Sequence, residues 1–186
     1  MTSNKVYNVG VLVGSLRKGS FSRRLAVALQ GLAPPSLKFN TIDIGGLSFY
    51  NQDEETATPP KSWVEFRKAV RDSDALLFVT PEYNRSIPGV LKNAIDVGSR
   101  PKGQAAYAGK PSAVISNSPG AIGGFGANHA LRQNLMCMDV PVMAGPEAYI
   151  GGIEKMLGEG EGIANETSRE FLEKFMQRFA TWVERF

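Results

Sequence analysis

The chain has 186 residues, of which 42% are hydrophobic and 21% are charged, and its formal net charge is +3. This length and composition are typical of a globular protein with a buried core, so we expect a single domain spanning residues 1–186. The scattered Lys and Arg residues argue against nucleic-acid binding, and the single Cys137 and single His129 exclude a disulfide framework and a multi-Cys or histidine-rich metal site.

Hydrophobic periodicity predicts strands and helices in alternation. Residues 9–13 form a continuous β-branched run, which is typical of a strand buried on both faces. In chain order, we predict a strand at 9–13, a helix at 21–32, a strand at 37–44, a long loop at 45–60, a helix at 63–70, a strand at 74–80, a helix at 88–99, a strand at 111–116, a glycine-rich loop at 117–126, a helix at 128–138, a short strand within 140–150, a loop at 151–165 and a helix at 171–186. This alternation favours an α/β fold with a parallel sheet and helices on both faces.

No segment has the pattern of a membrane span or of a secretory signal. Residues 1–8 are polar, and the longest apolar run is far below the roughly 20 residues of a transmembrane helix. We therefore expect no membrane partner and a cytoplasmic location.

The segment 14–22, between the first strand and the first helix, has the chemistry of a phosphate-binding loop. Ser15, Ser20 and Ser22 supply hydroxyls, Arg17 supplies a cation, and the helix N-terminus adds N–H groups and a positive dipole. Ser20 taken alone could be a simple N-cap and Arg17 a solvated charge, but the combination favours phosphate. Because the P-loop ending and the spaced glycines of a dinucleotide fingerprint are both missing, a monophosphate fits better than a pyrophosphate.

The third predicted strand stops abruptly at Thr80-Pro81, and a polar turn separates it from a helix that Pro88 opens. In an open α/β sheet, ligands bind beside the carboxyl ends of strands. We therefore predict that residues 81–84 border the flat part of the ligand whose phosphate binds at 14–22.

Several motifs together resemble the NADPH-dependent FMN reductase family, a flavodoxin-like group that includes quinone, azo-dye and chromate reductases. They are Gly14-Ser-Leu-Arg17-x-x-Ser20, Thr80-Pro-Glu-Tyr-Asn84, Pro88-Gly-x-Leu-Lys-Asn-Ala-Ile-Asp96, and Gly109-Lys-Pro111 followed by Gly120-x-x-Gly-Gly124. They occur in this order over about the first two thirds of the chain. The resemblance implies a five-stranded parallel sheet of order 2-1-3-4-5, with FMN at the switch point.

The resemblance also implies which residues hold a tightly bound FMN. The FMN phosphate would contact Ser15, Arg17, Ser20 and Ser22. The isoalloxazine ring would lie beside Pro81, Glu82, Tyr83 and Asn84, largely against backbone groups, with Ser118 approaching it.

Other residues keep two interpretations. Arg85 and Val97 depart from the family pattern: Val97 should affect only helix packing, whereas Arg85 could influence substrate choice or subunit contacts, or be a solvated arginine. Tyr50 could flank the ring or a substrate, or be a packed aromatic residue. Structural roles are favoured for His129 and Cys137.

The implied activity is that of an oxidoreductase. FMN would take a hydride from NADPH or NADH and pass electrons to quinones, azo compounds, metal oxyanions such as chromate, or free flavin. No catalytic side chain and no metal ion are expected. The family is often oligomeric, so we expect a homodimer or homotetramer.

A flavodoxin-type FMN electron carrier without intrinsic NAD(P)H oxidation is the main alternative, although such carriers are typically acidic and this chain is not. A response regulator would need an aspartate where Thr80-Pro81 stands. A low-molecular-weight phosphatase would need a cysteine in the first loop, far from Cys137. Both are therefore disfavoured.

Overall fold

The computed structural model describes residues 5–158 and 162–186, and a five-stranded parallel sheet forms the centre of this part of the chain. The strands are β1 (Tyr7–Val13), β2 (Leu37–Thr41), β3 (Ala75–Pro81), β4 (Ser112–Asn117) and β5 (Ala148–Ile150). Their order is β2-β1-β3-β4-β5, and neighbouring strands are parallel throughout. The predicted flavodoxin-like sheet and its strand order are confirmed.

Helices cover both faces of the sheet. They are α1 (Phe21–Leu32), α2 (Lys61–Arg71), α3 (Gly89–Gly98), α4 (Phe125–Met136), α5 (Ile153–Leu157) and α6 (Glu166–Val183). Side chains of α1, α5 and α6 belong to the hydrophobic cluster on one face, and those of α2, α3 and α4 belong to the cluster on the other. Among the described residues, no helix combines the length and hydropathy needed to cross a bilayer.

The central strand β3 contributes to both clusters. Leu77 faces the cluster that contains Phe175 of α6, whereas Phe78 faces the cluster that contains Trp63 of α2. All four side chains are fully buried. Because both faces of the strand are covered, its sequence is continuously apolar rather than alternating, which is why the pattern predicted a buried parallel strand.

The second strand is shorter than predicted. It ends at Thr41 instead of residue 44, because β2 lies at the sheet edge and its register with β1 ends at the pair Val11 and Thr41. Ile42 and Ile44 remain buried beyond this point. The apolar residues at 42 and 44 suggested a longer strand because they are buried, but they lie beyond the last pair of β2 with β1.

Two further differences lie near the carboxyl edge of the sheet. Helix α4 begins at Phe125, three residues before the predicted start, and α5 lies inside the predicted loop 151–165. Ile153 and Leu157 of α5 are buried in the hydrophobic cluster on the α1 side of the sheet. This packing stabilises a helix of only five residues. Residues 159–161 of the same predicted loop lie outside the described residues.

A buried ion pair fastens the long loop between β2 and α2, which also contains a short 3₁₀ helix at Gln52–Glu54. Arg67 of α2 is 3% exposed, and its guanidinium donates to both carboxylate oxygens of Glu55 at 2.9 and 2.6 Å and to the Val97 carbonyl at 2.8 Å. Asn93 of α3 adds two bonds, because its side chain accepts from the Tyr50 N–H and donates to a loop carbonyl. The loop is thus attached to both α2 and α3.

A tight contact at the end of α3 gives a stability prediction. A Cβ added at Gly98 would overlap the ring of Tyr107, which is fully buried and donates to the Ala94 carbonyl at 2.8 Å. We expect Gly98→Ala to lower the free energy of unfolding by about 1–3 kcal/mol, because the ring must shift within a packed core. Gly31→Ala in α1, where an added Cβ has nothing within 4 Å, is the matched control. Urea unfolding that shows equal losses in both variants would contradict this packing.

Candidate cofactor site

The loops that follow β1, β3 and β4 meet at the carboxyl edge of the sheet, and a cleft of about 320 Å³ lies between them. The chain leaves β1 toward β2 on one side and leaves β3 toward β4 on the other, so the cleft lies at the switch point of the sheet. Its lining residues are Ser15, Arg17, Ser20, Phe21, Ser22, Pro81, Glu82, Tyr83, Asn117, Ser118, Pro119 and Glu154. The segments predicted to bind a phosphate and a ring therefore face one cleft.

The first loop passes very close to β3. The Gly14 N–H donates to the Val79 carbonyl at 2.9 Å, and a Cβ at Gly14 would come within 2.7 Å of the Thr80 hydroxyl. Only glycine allows this approach of the two backbones without displacing Thr80. The approach places the next residue, Ser15, in the cleft lining, where it is 8% exposed.

The N-terminus of α1 opens into the cleft. Ser20 is the N-cap, and its hydroxyl oxygen accepts from the Arg23 N–H at 3.2 Å. The N-cap interpretation of Ser20 is therefore correct, yet the hydroxyl keeps its own proton for a ligand. The first turn carries no acidic residue, so the partial positive charge of the helix end is left available to an anion.

Asn117, at the end of β4, joins this helix to the two central strands. Its amide nitrogen donates to the Ser22 hydroxyl at 2.9 Å and to the Thr80 carbonyl at 3.3 Å. Asn117 is 2% exposed and Ser22 is 1% exposed. This bridge fixes the Ser22 hydroxyl at the floor of the cleft.

Charged side chains stand at the mouth of the cleft. Arg17 is exposed, and its guanidinium carbon lies 5.1 Å from the centre of the Phe21 ring, which keeps the cation near the start of α1. Glu154, in the first turn of α5, lines the cleft together with Arg17. An anion in the cleft would be attracted by Arg17 and by the N-terminus of α1, and it would be repelled by the Glu154 carboxylate.

The other end of the cleft is formed by a tight turn. The Tyr83 N–H donates to the Ser86 carbonyl at 2.9 Å, and the Ser86 N–H donates back to the Tyr83 carbonyl at 3.0 Å. Asn84 and Arg85 between them have positive φ values of 50° and 66°, as in a type I′ turn. Arg85 is unfavourable in this conformation by about 1–2 kcal/mol, and backbone strain of this kind is concentrated at ligand sites.

Glu82 attaches this turn to α4. One carboxylate oxygen accepts from the Ala127 N–H at 3.0 Å, and the other accepts from the Arg85 guanidinium at 2.7 Å. The Glu82 side chain is only 11% exposed, whereas that of Arg85 is 70% exposed. The contact with Ala127 satisfies an N–H in the first turn of α4 and explains why the helix starts earlier than the sequence pattern suggested.

Three of the predicted site residues do not line the cleft. Asn84 and Arg85 lie in the turn beyond Tyr83, and Tyr50 packs its ring 5.2 Å from that of Trp63 in the cluster on the α2 face. The packed interpretation of Tyr50 agrees with this contact. The eight other predicted residues are brought together in the cleft lining: Ser15, Arg17, Ser20, Ser22, Pro81, Glu82, Tyr83 and Ser118.

His129 and Cys137 also lie outside the cleft lining. The His129 ring nitrogen Nε2 is 2.9 Å from the Tyr149 hydroxyl, and the Cys137 thiol donates to the Asn134 carbonyl at 3.0 Å. The contact of His129 agrees with the structural role favoured for it, whereas Cys137 is exposed and its structural role stays a prediction. In the described part of the chain, no three His, Cys, Asp or Glu side chains gather as metal ligands.

The sequence pattern missed several lining residues, namely Phe21, Asn117, Pro119 and Glu154. Asn117 could have been found, because it directly ends a buried strand at the edge where ligands bind. Glu154 gave no signal, because it belongs to the short helix α5 that the pattern did not show.

Taken together, the cleft has hydroxyls, a cation and a helix end on one side and a rigid turn on the other. This arrangement suits an elongated ligand that carries a phosphate at one end and a flat ring at the other.

Several known proteins are similar to this chain in sequence. The family model described as NADPH-dependent FMN reductase matches residues 7–155. A quinone reductase from Pseudomonas putida strain KT2440 is 58% identical over 181 residues, covering 97% of each chain. A 2-hydroxy-1,4-benzoquinone reductase from a Burkholderia species is 46% identical over 94% of this chain and 95% of its own.

Solved structures are similar to this chain as well. FerB, an NAD(P)H:(acceptor) oxidoreductase flavoenzyme from Paracoccus denitrificans, superposes with a TM-score of 0.91 at 41% identity, covering 97% of this chain and 98% of its own. A flavodoxin from Pseudomonas aeruginosa shares only the fold, with a TM-score of 0.59 at 17% identity over 95% of this chain and 99% of its own. The chain therefore belongs to the NADPH-dependent FMN reductase family, whose members are oxidoreductases with FMN as cofactor and NAD(P)H as electron donor.

Proposed function

We propose that the cleft holds FMN, with the phosphate at residues 14–22 and the ring beside residues 81–83. The chemistry of the donor set supports this fit. Ser15, Ser20 and Ser22 present almost fully buried hydroxyls next to a helix N-terminus without acidic residues, and Arg17 adds a guanidinium. These are the groups that bind phosphate monoesters in proteins.

The ring end of the cleft acts through rigidity rather than through acid–base groups. Both Glu82 carboxylate oxygens accept hydrogen bonds, one from the Ala127 N–H and one from Arg85, so this side chain positions the turn. Ser118 is also held, since its N–H donates to the Ile150 carbonyl and its hydroxyl to the Gly120 carbonyl. We assign Pro81, Glu82, Tyr83 and Ser118 to the border of the ring, whereas Asn84 lies in the turn outside the cleft lining and shapes that turn.

FMN supplies the hydride chemistry when it is bound, and the protein supplies position and electrostatics. Tyr83, at the cleft, is 57% exposed, so the ring end is open to solvent on one side. A single open side would admit the dinucleotide and the electron acceptor in turn, which predicts ping-pong kinetics.

We propose quinones as the principal electron acceptors. The quinone reductase of Pseudomonas putida and the 2-hydroxy-1,4-benzoquinone reductase of Burkholderia, both similar over nearly the full chain, support this class. Azo compounds, metal oxyanions such as chromate, and free flavin follow from the family resemblance alone. NADPH or NADH is the donor.

The test is steady-state oxidation of NADPH and NADH by the purified protein, with a benzoquinone as acceptor and after identification of the bound flavin. We expect many turnovers per protein and parallel-line double-reciprocal plots. A protein that retains FMN but does not oxidise either dinucleotide would instead be a flavodoxin-type electron carrier.

Arg85 gives a prediction about acceptor choice. Its guanidinium is 70% exposed next to the proposed ring end and is anchored by the Glu82 carboxylate. We expect Arg85→Ala to raise KM for an anionic quinone sulfonate by about threefold to fivefold, the size of an exposed charge interaction, with less change for a neutral quinone. Lys92→Ala, which removes an exposed cation paired within α3, is the control. Equal KM changes for both acceptors would remove Arg85 from substrate choice.

We further propose a homodimer or homotetramer in the cytoplasm, with residues 1–186 as one domain. Phe125 and Met136 of α4 support an oligomer, because they are large apolar side chains that are 47% and 74% exposed. Light scattering of the purified protein distinguishes dimer, tetramer and monomer.

A further inference from the structure

We propose that a second cavity, the adenosine groove, binds the adenosine part of the nicotinamide dinucleotide. It lies between α1 and the end of β2, has a volume of about 420 Å³, and is lined by Leu16, Arg23, Val27, Gln30 and Asp43 above an apolar floor. Ser15 lines both this groove and the cofactor cleft, so the two are neighbours. The inference rests on the proposed function, because it assigns a place to the electron donor of that reaction.

The walls of the groove suit a flat purine. Leu16 and Val27 are exposed by 50% and 43%, although they are large aliphatic side chains. Beneath them, Ala26, Ile42 and Ile44 are almost fully buried. A slot between aliphatic side chains over an apolar floor is typical of pockets that hold heteroaromatic rings.

The polar groups at the groove match a ribose and a phosphate. Asp43 follows β2, and one of its carboxylate oxygens accepts from the Gly45 N–H at 2.9 Å, which fixes the carboxylate and leaves the other oxygen for a ligand. In doubly wound folds that carry the glycine fingerprint for dinucleotides, a carboxylate beyond the fingerprint binds the ribose 2′-hydroxyl of NAD. This chain lacks the fingerprint, and the assignment of Asp43 rests on its position in the groove. Arg23 also lines the groove and is exposed, so its guanidinium is available to a phosphate of the dinucleotide.

The same carboxylate sets a preference between the two donors. The 2′-phosphate of NADPH would meet the negative charge of Asp43, whereas the ribose hydroxyls of NADH would donate to it. The groove therefore favours NADH.

Calorimetric titration of the FMN-loaded protein with 5′-AMP tests the groove without requiring turnover. We expect Val27→Trp, which fills the slot, to weaken AMP binding and to raise KM for NADH by about tenfold or more, while FMN content and KM for the quinone stay unchanged. The control is Val64→Trp, a substitution of an exposed valine on α2 outside the groove, which should alter none of these values.

A second variant, Asp43→Asn, tests the ribose contact. It keeps an oxygen for the Gly45 N–H but loses the charge, so AMP should bind about tenfold more weakly and the kcat/KM ratio should shift from NADH toward NADPH. AMP binding and KM for NADH that are equal in the parent and in Val27→Trp would overturn the inference. A parent protein that oxidises neither dinucleotide would overturn the proposed function, whereas AMP binding that Val27→Trp abolishes would still support the groove.

Discussion

Replacing Glu55 by alanine is expected to lower the free energy of unfolding by about 3–5 kcal/mol, because it leaves the Arg67 guanidinium buried and charged without its partner. The side chains of Arg67 and Glu55 are only 4% and 13% exposed. A domain of this size loses about 2–4 °C in Tm per kcal/mol, so the expected decrease is roughly 6–20 °C. Thermal unfolding followed by circular dichroism measures this change.

The matched control is Glu65→Ala, which breaks an ion pair with Lys61 on the surface of α2. Those two side chains are 65% and 88% exposed, so we expect a change within about 0.5 kcal/mol. Similar losses in the two variants would show that the Glu55 pair is solvated and does not anchor the long loop.

The second large effect concerns the cofactor. We expect Arg17→Ala to weaken FMN binding to the apoprotein by about 10- to 150-fold, the equivalent of the roughly 1.5–3 kcal/mol of a charge-assisted hydrogen bond. The reason is that Arg17 is the cation in the cleft lining beside the N-terminus of α1. Fluorescence titration of the apoprotein with FMN measures the dissociation constant.

Lys18→Ala serves as the control, since Lys18 is an exposed cation in the same loop that does not line the cleft. It should leave FMN affinity within about twofold of the parent value, as expected for a distant surface charge. Equal affinity in Arg17→Ala and in the parent would exclude Arg17 from the phosphate site.

Most of the fold could be predicted from the sequence, because its signals are local. The continuous apolar runs of β1 and β3 report strands buried on both faces, and the helical spacing of Trp63, Phe66 and Val70 reports α2. The end of β2 could not be predicted in the same way. The burial pattern continues through Ile44, but β2 is paired with β1 only as far as Thr41.

The phosphate end of the cleft could be predicted, because all of its predicted ligand groups lie in one loop. The segment 14–22 combines serines, an arginine and a helix start, and the structure places its predicted residues together. Contacts between distant segments were not predictable. Asn117 bridges Ser22 and Thr80, and Glu82 caps α4 through Ala127, yet nothing in the local sequence of either residue indicates its partner.

The most direct measurement of the central claim is anaerobic mixing of the FMN-loaded protein with NADH or NADPH, followed through the flavin absorbance. We predict that either dinucleotide bleaches this absorbance and that a benzoquinone added afterwards restores it. An absorbance that neither dinucleotide changes, in a protein with FMN fully bound, would contradict the claim that this cleft passes electrons from NAD(P)H to a quinone.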